Sequence, residues 1–200
     1  AKPGYVVQFG SYEQNNDETD GPEPIEWYVL DVKDGKAYLL SKYVLENMTY
    51  HDRREDVTWE TCTLRTWLNG TFYEKAFDAE EKQQIATSLL ENVWNPWNTS
   101  TEYDYTEDKV FLPAIEDVLW GAYSYSGRAP ESTIYEFDGY FQTDTERIAR
   151  SSESLFFRNG ETGSLTNYGY WLRASSRIEY RPSDAYNNPY PVKKPYTVVT

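Results

Sequence analysis

The chain has 200 residues, a formal net charge of −14 and a mean hydropathy of −0.78, the size of one domain with a strongly polar, acidic surface. Such a surface repels phosphate backbones and anionic lipid, which argues against nucleic acid and membrane surfaces as partners. One histidine, His51, excludes sites built from two or three imidazoles, and one cysteine, Cys62, excludes an intrachain disulfide.

In chain order, Tyr5 to Phe9 reads as a first strand closed by Gly10, and residues 13–24 as a polar loop. Ile25 to Val32 and Lys36 to Leu40 form a hairpin about the tight-turn pair Asp34-Gly35. Residues 58–90 are the helical part. Leu64, Trp67 and Leu68 make one apolar stripe, Asn69-Gly70 breaks it, and Phe72 to Phe77 forms a further short turn. Asp78 with Glu81 has the form of a capping box that opens a helix through Ile85. Residues 91–107 read as loop, Lys109 to Leu112 as a brief strand ended by Pro113, and Ala114 to Trp120 as a short helix. Residues 121–167 are expected to be irregular, Tyr168 to Arg173 a strand, and 174–200 irregular except for a last strand at Tyr196 to Val199. No apolar run approaches the roughly 20 residues of a spanning helix, so no membrane insertion of this segment is expected. The start at Ala1-Lys2-Pro3, without Met, suggests a processed or trimmed chain.

Seven Trp, nineteen Tyr and eight Phe make the chain 17% aromatic, more than a disordered acidic segment would carry, so a folded domain with aromatic-decorated loops is expected. Trp27, Trp59, Trp67 and Trp171 sit inside periodic elements and read as core or near-core. Trp94, Trp97, Tyr103 and Tyr105 lie in a segment without periodicity and read either as a binding loop or, the preferred reading, as rings capping the core edge.

The stretches "PIEWYVLDVKDGKAYLLSKYVL" at 24–45, "TWETCTLRTWLNGTFYEKAFDAEEKQQI" at 58–85, "DKVFLPAIEDV" at 108–118 and "YWLRAS" at 170–175 together resemble an uncharacterised bacterial domain family of C-type-lectin-like type, found in cell-surface and lipoprotein-like chains. The resemblance covers most of residues 5–175. It implies an α+β, C-type-lectin-like fold with two main helices, small antiparallel sheets and long irregular loops, in a single domain over 1–200. Where the family strand reads WWLRS, this chain has Tyr170 to Ala174. The closing strand of the family is not found, so the edge after about 175 is divergent or truncated.

The fold type raises calcium-dependent sugar binding, but Pro22-Glu23-Pro24 and Trp94-Asn95-Pro96 do not match the loops that such lectins use. The acidic run Asn16 to Gly21 would put Trp27 where a calcium loop needs a bidentate Glu, so it reads as solvated charge. Glu102, Asp104, Glu107 and Asp108 have the same reading. Cys62 reads as a small core residue, with nothing tying it to His51. Arg65 and Arg173 read as pins for a carboxylate or loop carbonyl rather than as ligand anchors.

The tail mixes Tyr, Asn, Ser and Arg as binding loops do. Its candidate ligand-binding residues are Arg177, Tyr180, Arg181, Asp184, Tyr186, Asn187, Asn188 and Tyr190, and the alternative is that this Pro-rich stretch wraps the body. The expectation is therefore a non-catalytic, extracellular or cell-surface module presenting loops at about 91–107, 121–167 and 174–190 to a protein or glycan, with no metal or cofactor. The tail composition also admits a retroelement-diversified variable protein. The competing expectation is a carbohydrate-active hydrolase working through a carboxylate pair.

Overall fold

The computed structural model describes residues 4–15, 17–46, 48–53, 55, 57–92, 104–124, 134–143, 146, 171–173 and 198–199. These form a mixed α+β arrangement of small antiparallel sheets and short helices.

The main sheet begins with β1 (Val6–Tyr12), β2 (Glu23–Lys33) and β3 (Lys36–Ser41), paired antiparallel in that order. Lys33 faces Lys36 across the turn, and Asp34 and Gly35 both take positive φ, 52° and 74°, as a tight hairpin turn requires. β2 alternates, so Ile25, Trp27 and Val29 are buried. Two irregularities bend this sheet. In β1 the register shifts between Gln8 and Ser11, and in β2 it shifts between Val29 and Asp31, which brings Asp31 opposite Tyr38.

A helical block packs on the sheet: α1 (Thr63–Trp67), a π-helical turn (Leu68–Phe72), α2 (Tyr73–Ala76) and α3 (Ala79–Gln84). The break expected at Asn69-Gly70 does not occur. The chain stays helical in a wider turn, in which the Tyr73 N–H reaches back to the Leu68 carbonyl. Asn69 explains the widening, because its side chain donates to the Arg65 carbonyl (3.2 Å) and so inserts into the backbone ladder. The capping box at Asp78 and Glu81 is present in full. Trp27, Trp59, Leu64, Leu68 and Phe72 are buried in the core, with Trp67 and Trp171 packed against it.

The structure departs from expectation beyond the helices. β4 (Ser88–Asn92) and β5 (Asp104–Asp108) pair where continuous loop was expected over 91–107. Their inner face buries Leu90, Asn92, Thr106 and Asp108, while Leu89 and Tyr105 stay exposed. After β6 (Val110–Phe111) and α4 (Ile115–Val118), β7 (Trp120–Ser124) pairs with β8 (Ile134–Asp138) inside the region expected to be irregular. Trp171 to Arg173 are not in a strand, although the Arg173 N–H donates to the Pro113 carbonyl (3.1 Å). β9 (Val198–Val199) lies between β3 and β6, so the expected last strand joins the interior of the main sheet. Among the described residues no helix is long and apolar enough to cross a membrane.

Candidate functional site

Where the β2 irregularity, β3, β4, β6 and α4 meet, the surface opens into a concavity of about 340 Å³. It is lined by Asp31, Tyr38, Phe111, Asp117, Tyr140 and Arg173, with Ser88 and Leu90 at one side. Each polar wall residue has a local reason for its position. Asp31 is brought beside Tyr38 by the shift in β2, and it accepts from the Val32 N–H (2.7 Å). Asp117, in the first turn of α4, accepts from the free Ala114 N–H (2.6 Å), as a helix start needs. The same Asp117 Oδ2 accepts from the Tyr38 hydroxyl (3.2 Å) and from Arg173 Nη1 (3.1 Å).

Arg173 also donates through Nη1 to the Leu112 carbonyl (3.0 Å) and lies over the Phe111 ring at 5.8 Å. Tyr38 stacks on Phe111 at 6.0 Å, and Tyr140 meets Tyr38 at 5.7 Å. Tyr140 is held by backbone bonds, its N–H to the Asp117 carbonyl (2.9 Å) and the preceding Gly139 N–H to the Leu119 carbonyl (2.7 Å). Burial first, and then the Asp117 carboxylate, holds the Tyr38 phenol well above its ordinary value, so it stays a hydrogen-bond donor. Burial, followed by Asp31 and Asp117, raises Tyr140 as well.

A second polar centre lies inside the protein. Asp108, 1% exposed, accepts from Trp59 Nε1 (2.9 Å), Arg65 Nε (2.7 Å) and Asn69 Nδ2 (3.1 Å). Asn69 Oδ1 accepts from the Lys109 and Val110 N–H groups, and its Nδ2 donates to the Val110 carbonyl. The centre ties the helical block to the β5–β6 connection, with the Asp108 carboxylate buried and the Arg65 guanidinium reaching the surface. The solvated-charge reading of Asp108 is thereby corrected, whereas Arg65 and Arg173 are carboxylate pins as expected.

The lone cysteine and the lone histidine, unconnected in the sequence, serve the same helix start. Cys62 Sγ accepts from the Arg65 N–H (3.4 Å), and His51 Nδ1 accepts from the Thr63 N–H (3.2 Å). With Nδ1 an acceptor, the ring proton sits on Nε2, facing Glu55 at 3.0 Å. Cys62 is fully buried, and burial pushes its thiol above the ordinary value. A thiol reagent such as Ellman's is therefore expected to leave the native protein unmodified and to react fully in denaturant. Prompt reaction of the folded protein would contradict this placement.

In the acidic loop, Asp17 Oδ1 accepts from the Thr19 hydroxyl and N–H, which lowers its pKa, and Asn15 bonds to Asp20. Among the described residues no group of His, Cys, Asp and Glu is placed to hold a metal.

The tail residues Arg177, Tyr180, Arg181, Asp184, Tyr186, Asn187, Asn188 and Tyr190 lie outside the described residues, as do Trp94, Trp97 and Tyr103. Of the concavity, only Arg173 stood out in the sequence. Asp31, Tyr38, Asp117 and Tyr140 did not, because a strand irregularity, a helix cap and a backbone contact bring them together. The acid that interrupts "WYVLDV" at Asp31 was the one available signal.

The molecule is thus an acidic α+β domain with an aromatic, polar-walled surface concavity. The chain belongs to the family described as Domain of unknown function (DUF6273), which matches residues 34–188. No curated protein and no solved structure matches it.

Proposed function

We propose that this chain is a non-catalytic recognition module of C-type-lectin-like type that works outside the cell or at its surface and binds a protein or glycan. The observation that carries this reading is the concavity itself, where tyrosine rings stand beside charged groups already fixed by internal bonds. The order of the sequence blocks and the mixed α+β architecture support the lectin-like assignment. The tail carrying Arg177, Tyr180 and Tyr186 has the composition of binding loops, and diversification by a retroelement would fall there. A near-identical template repeat and a reverse-transcriptase gene beside the coding sequence would accompany it.

One observation favours hydrolysis: Asp31 and Asp117 line the same concavity. A carboxylic acid kept protonated for catalysis needs a desolvated place without a cationic partner, whereas Asp117 is bonded to Arg173. The buried Cys62 and the cap-bound His51 likewise offer no accessible nucleophile and base.

The immobilised domain should give saturable binding to a glycan array or to surface-exposed proteins, without releasing product from aryl glycosides. Steady turnover that Asp31→Asn abolishes would replace this reading with the hydrolase. Blank binding on both panels would remove it.

A further inference from the structure

We propose that the concavity between Asp31, Tyr38 and Tyr140 is a subsite for one neutral sugar ring, held by side chains without a bridging cation. This deepens the binding-module reading and rests on it. At about 340 Å³ and widely open to solvent, the concavity is a shallow seat, which suits one face of a single ring rather than an enclosed ligand.

The wall chemistry selects among ligands. Asp117 receives the Ala114, Tyr38 and Arg173 bonds on Oδ2, and among the described residues Oδ1 accepts no hydrogen bond. Asp31 adds carboxylate oxygen, and the Tyr140 hydroxyl adds a donor. Acceptors and donors thus stand side by side, the pattern that adjacent hydroxyls of a polyol satisfy. An anionic ligand would meet Asp31, Asp117 and the field of a chain with net charge −14. A cation would be drawn by the two carboxylates, but it would leave the Tyr140 hydroxyl donor unmatched. A neutral polyol avoids both conflicts. Tyr140, 41% exposed and packed against Tyr38, gives an accessible ring for the C–H face of a sugar. Because Asp117, Tyr38 and Arg173 are already bonded to one another, little ordering remains to oppose binding.

The test compares wild type, Tyr140→Ala, Asp31→Asn and the tail variant Tyr180→Ala/Tyr186→Ala/Tyr190→Ala on an array of neutral and acidic glycans. It is run in chelator, with melting curves to establish that each variant is folded. Wild type is expected to bind neutral glycans, and Tyr140→Ala and Asp31→Asn each to weaken binding about tenfold or more, the effect of losing a bond to a charged group or a ring contact. Asp31→Asn keeps the side-chain shape, so it guards against a folding defect in Tyr140→Ala. Neutral-glycan binding unchanged in both pocket variants but lost in the tail variant would overturn the subsite and leave the binding module standing. Recovery of glycan binding only with added calcium, or preference for acidic glycans, would also overturn the subsite. A blank array with saturable binding to a surface protein would overturn the subsite alone, and blank results on both panels would overturn both.

Discussion

Replacing Asp108 by alanine is expected to lower the unfolding free energy by about 3 kcal/mol and the melting temperature by roughly 6–12 °C. Asp108 is buried, and its removal strands the Trp59 indole N–H in the core and takes the carboxylate from Arg65. Breaking a buried pair by removing one partner costs about 3–5 kcal/mol. The lower end applies because the Arg65 side chain is 24% exposed and keeps the Glu60 and Glu107 carbonyls. Arg65→Ala should cost more, since it leaves a carboxylate in a dry place with only the neutral Trp59 and Asn69 donors. The double variant should cost clearly less than the sum, because removing both charges leaves neither stranded. Urea denaturation of all the variants measures the cycle. Simple additivity would mean that the ion pair does not couple the helical block to the β5–β6 connection.

The parts of the fold that were legible in the sequence are those set by local rules. The Asp34-Gly35 hairpin, the Asp78–Glu81 capping box and the stripe of Leu64 and Leu68 each depend on residues within a few positions of one another. Asn69-Gly70 misled for a physical reason. Asn and Gly together suggest a turn, but Asn69 is occupied by Asp108 and by the backbone of Lys109 and Val110, some forty positions away, and the helix widens to allow it. Composition likewise hid the β4–β5 and β7–β8 pairs, whose exposed faces carry polar residues and isolated rings rather than a clean apolar alternation. Asp108 looked like one more acid in an acidic chain. Only the arrival of Trp59, Arg65 and Asn69 from the helical block makes it a core residue. The concavity was the least legible feature, because Asp31, Tyr38, Asp117, Tyr140 and Arg173 span most of the chain and are joined only by tertiary contacts.

Gly10→Ala is expected to be among the most damaging small substitutions, at about 3–5 kcal/mol, because two independent costs meet there. Gly10 has φ of +71° in the bent part of β1, a conformation that alanine adopts only with strain. A Cβ would also lie 2.6 Å from the Ala76 carbonyl oxygen and 2.7 Å from the Phe77 ring. Moving the strand to relieve this would disturb the bond from the Gly10 N–H to Glu81 Oε1 (2.8 Å), the residue that closes the α3 capping box. Two other glycines separate the terms. Gly35→Ala meets the same backbone penalty at φ +74° with open space around it, and should cost only about 1–2 kcal/mol. Gly139→Ala meets no such φ, but its Cβ would press on the Leu119 carbonyl and lie 2.6 Å from that of Glu116, so its cost is steric. Gly139→Ala also acts on the site, since any shift there moves Tyr140, whose N–H is anchored on the Asp117 carbonyl. Urea denaturation should place Gly35→Ala closest to wild type and Gly10→Ala farthest from it. A Gly10→Ala protein no less stable than Gly35→Ala would mean that β1 does not approach the end of α2 this closely.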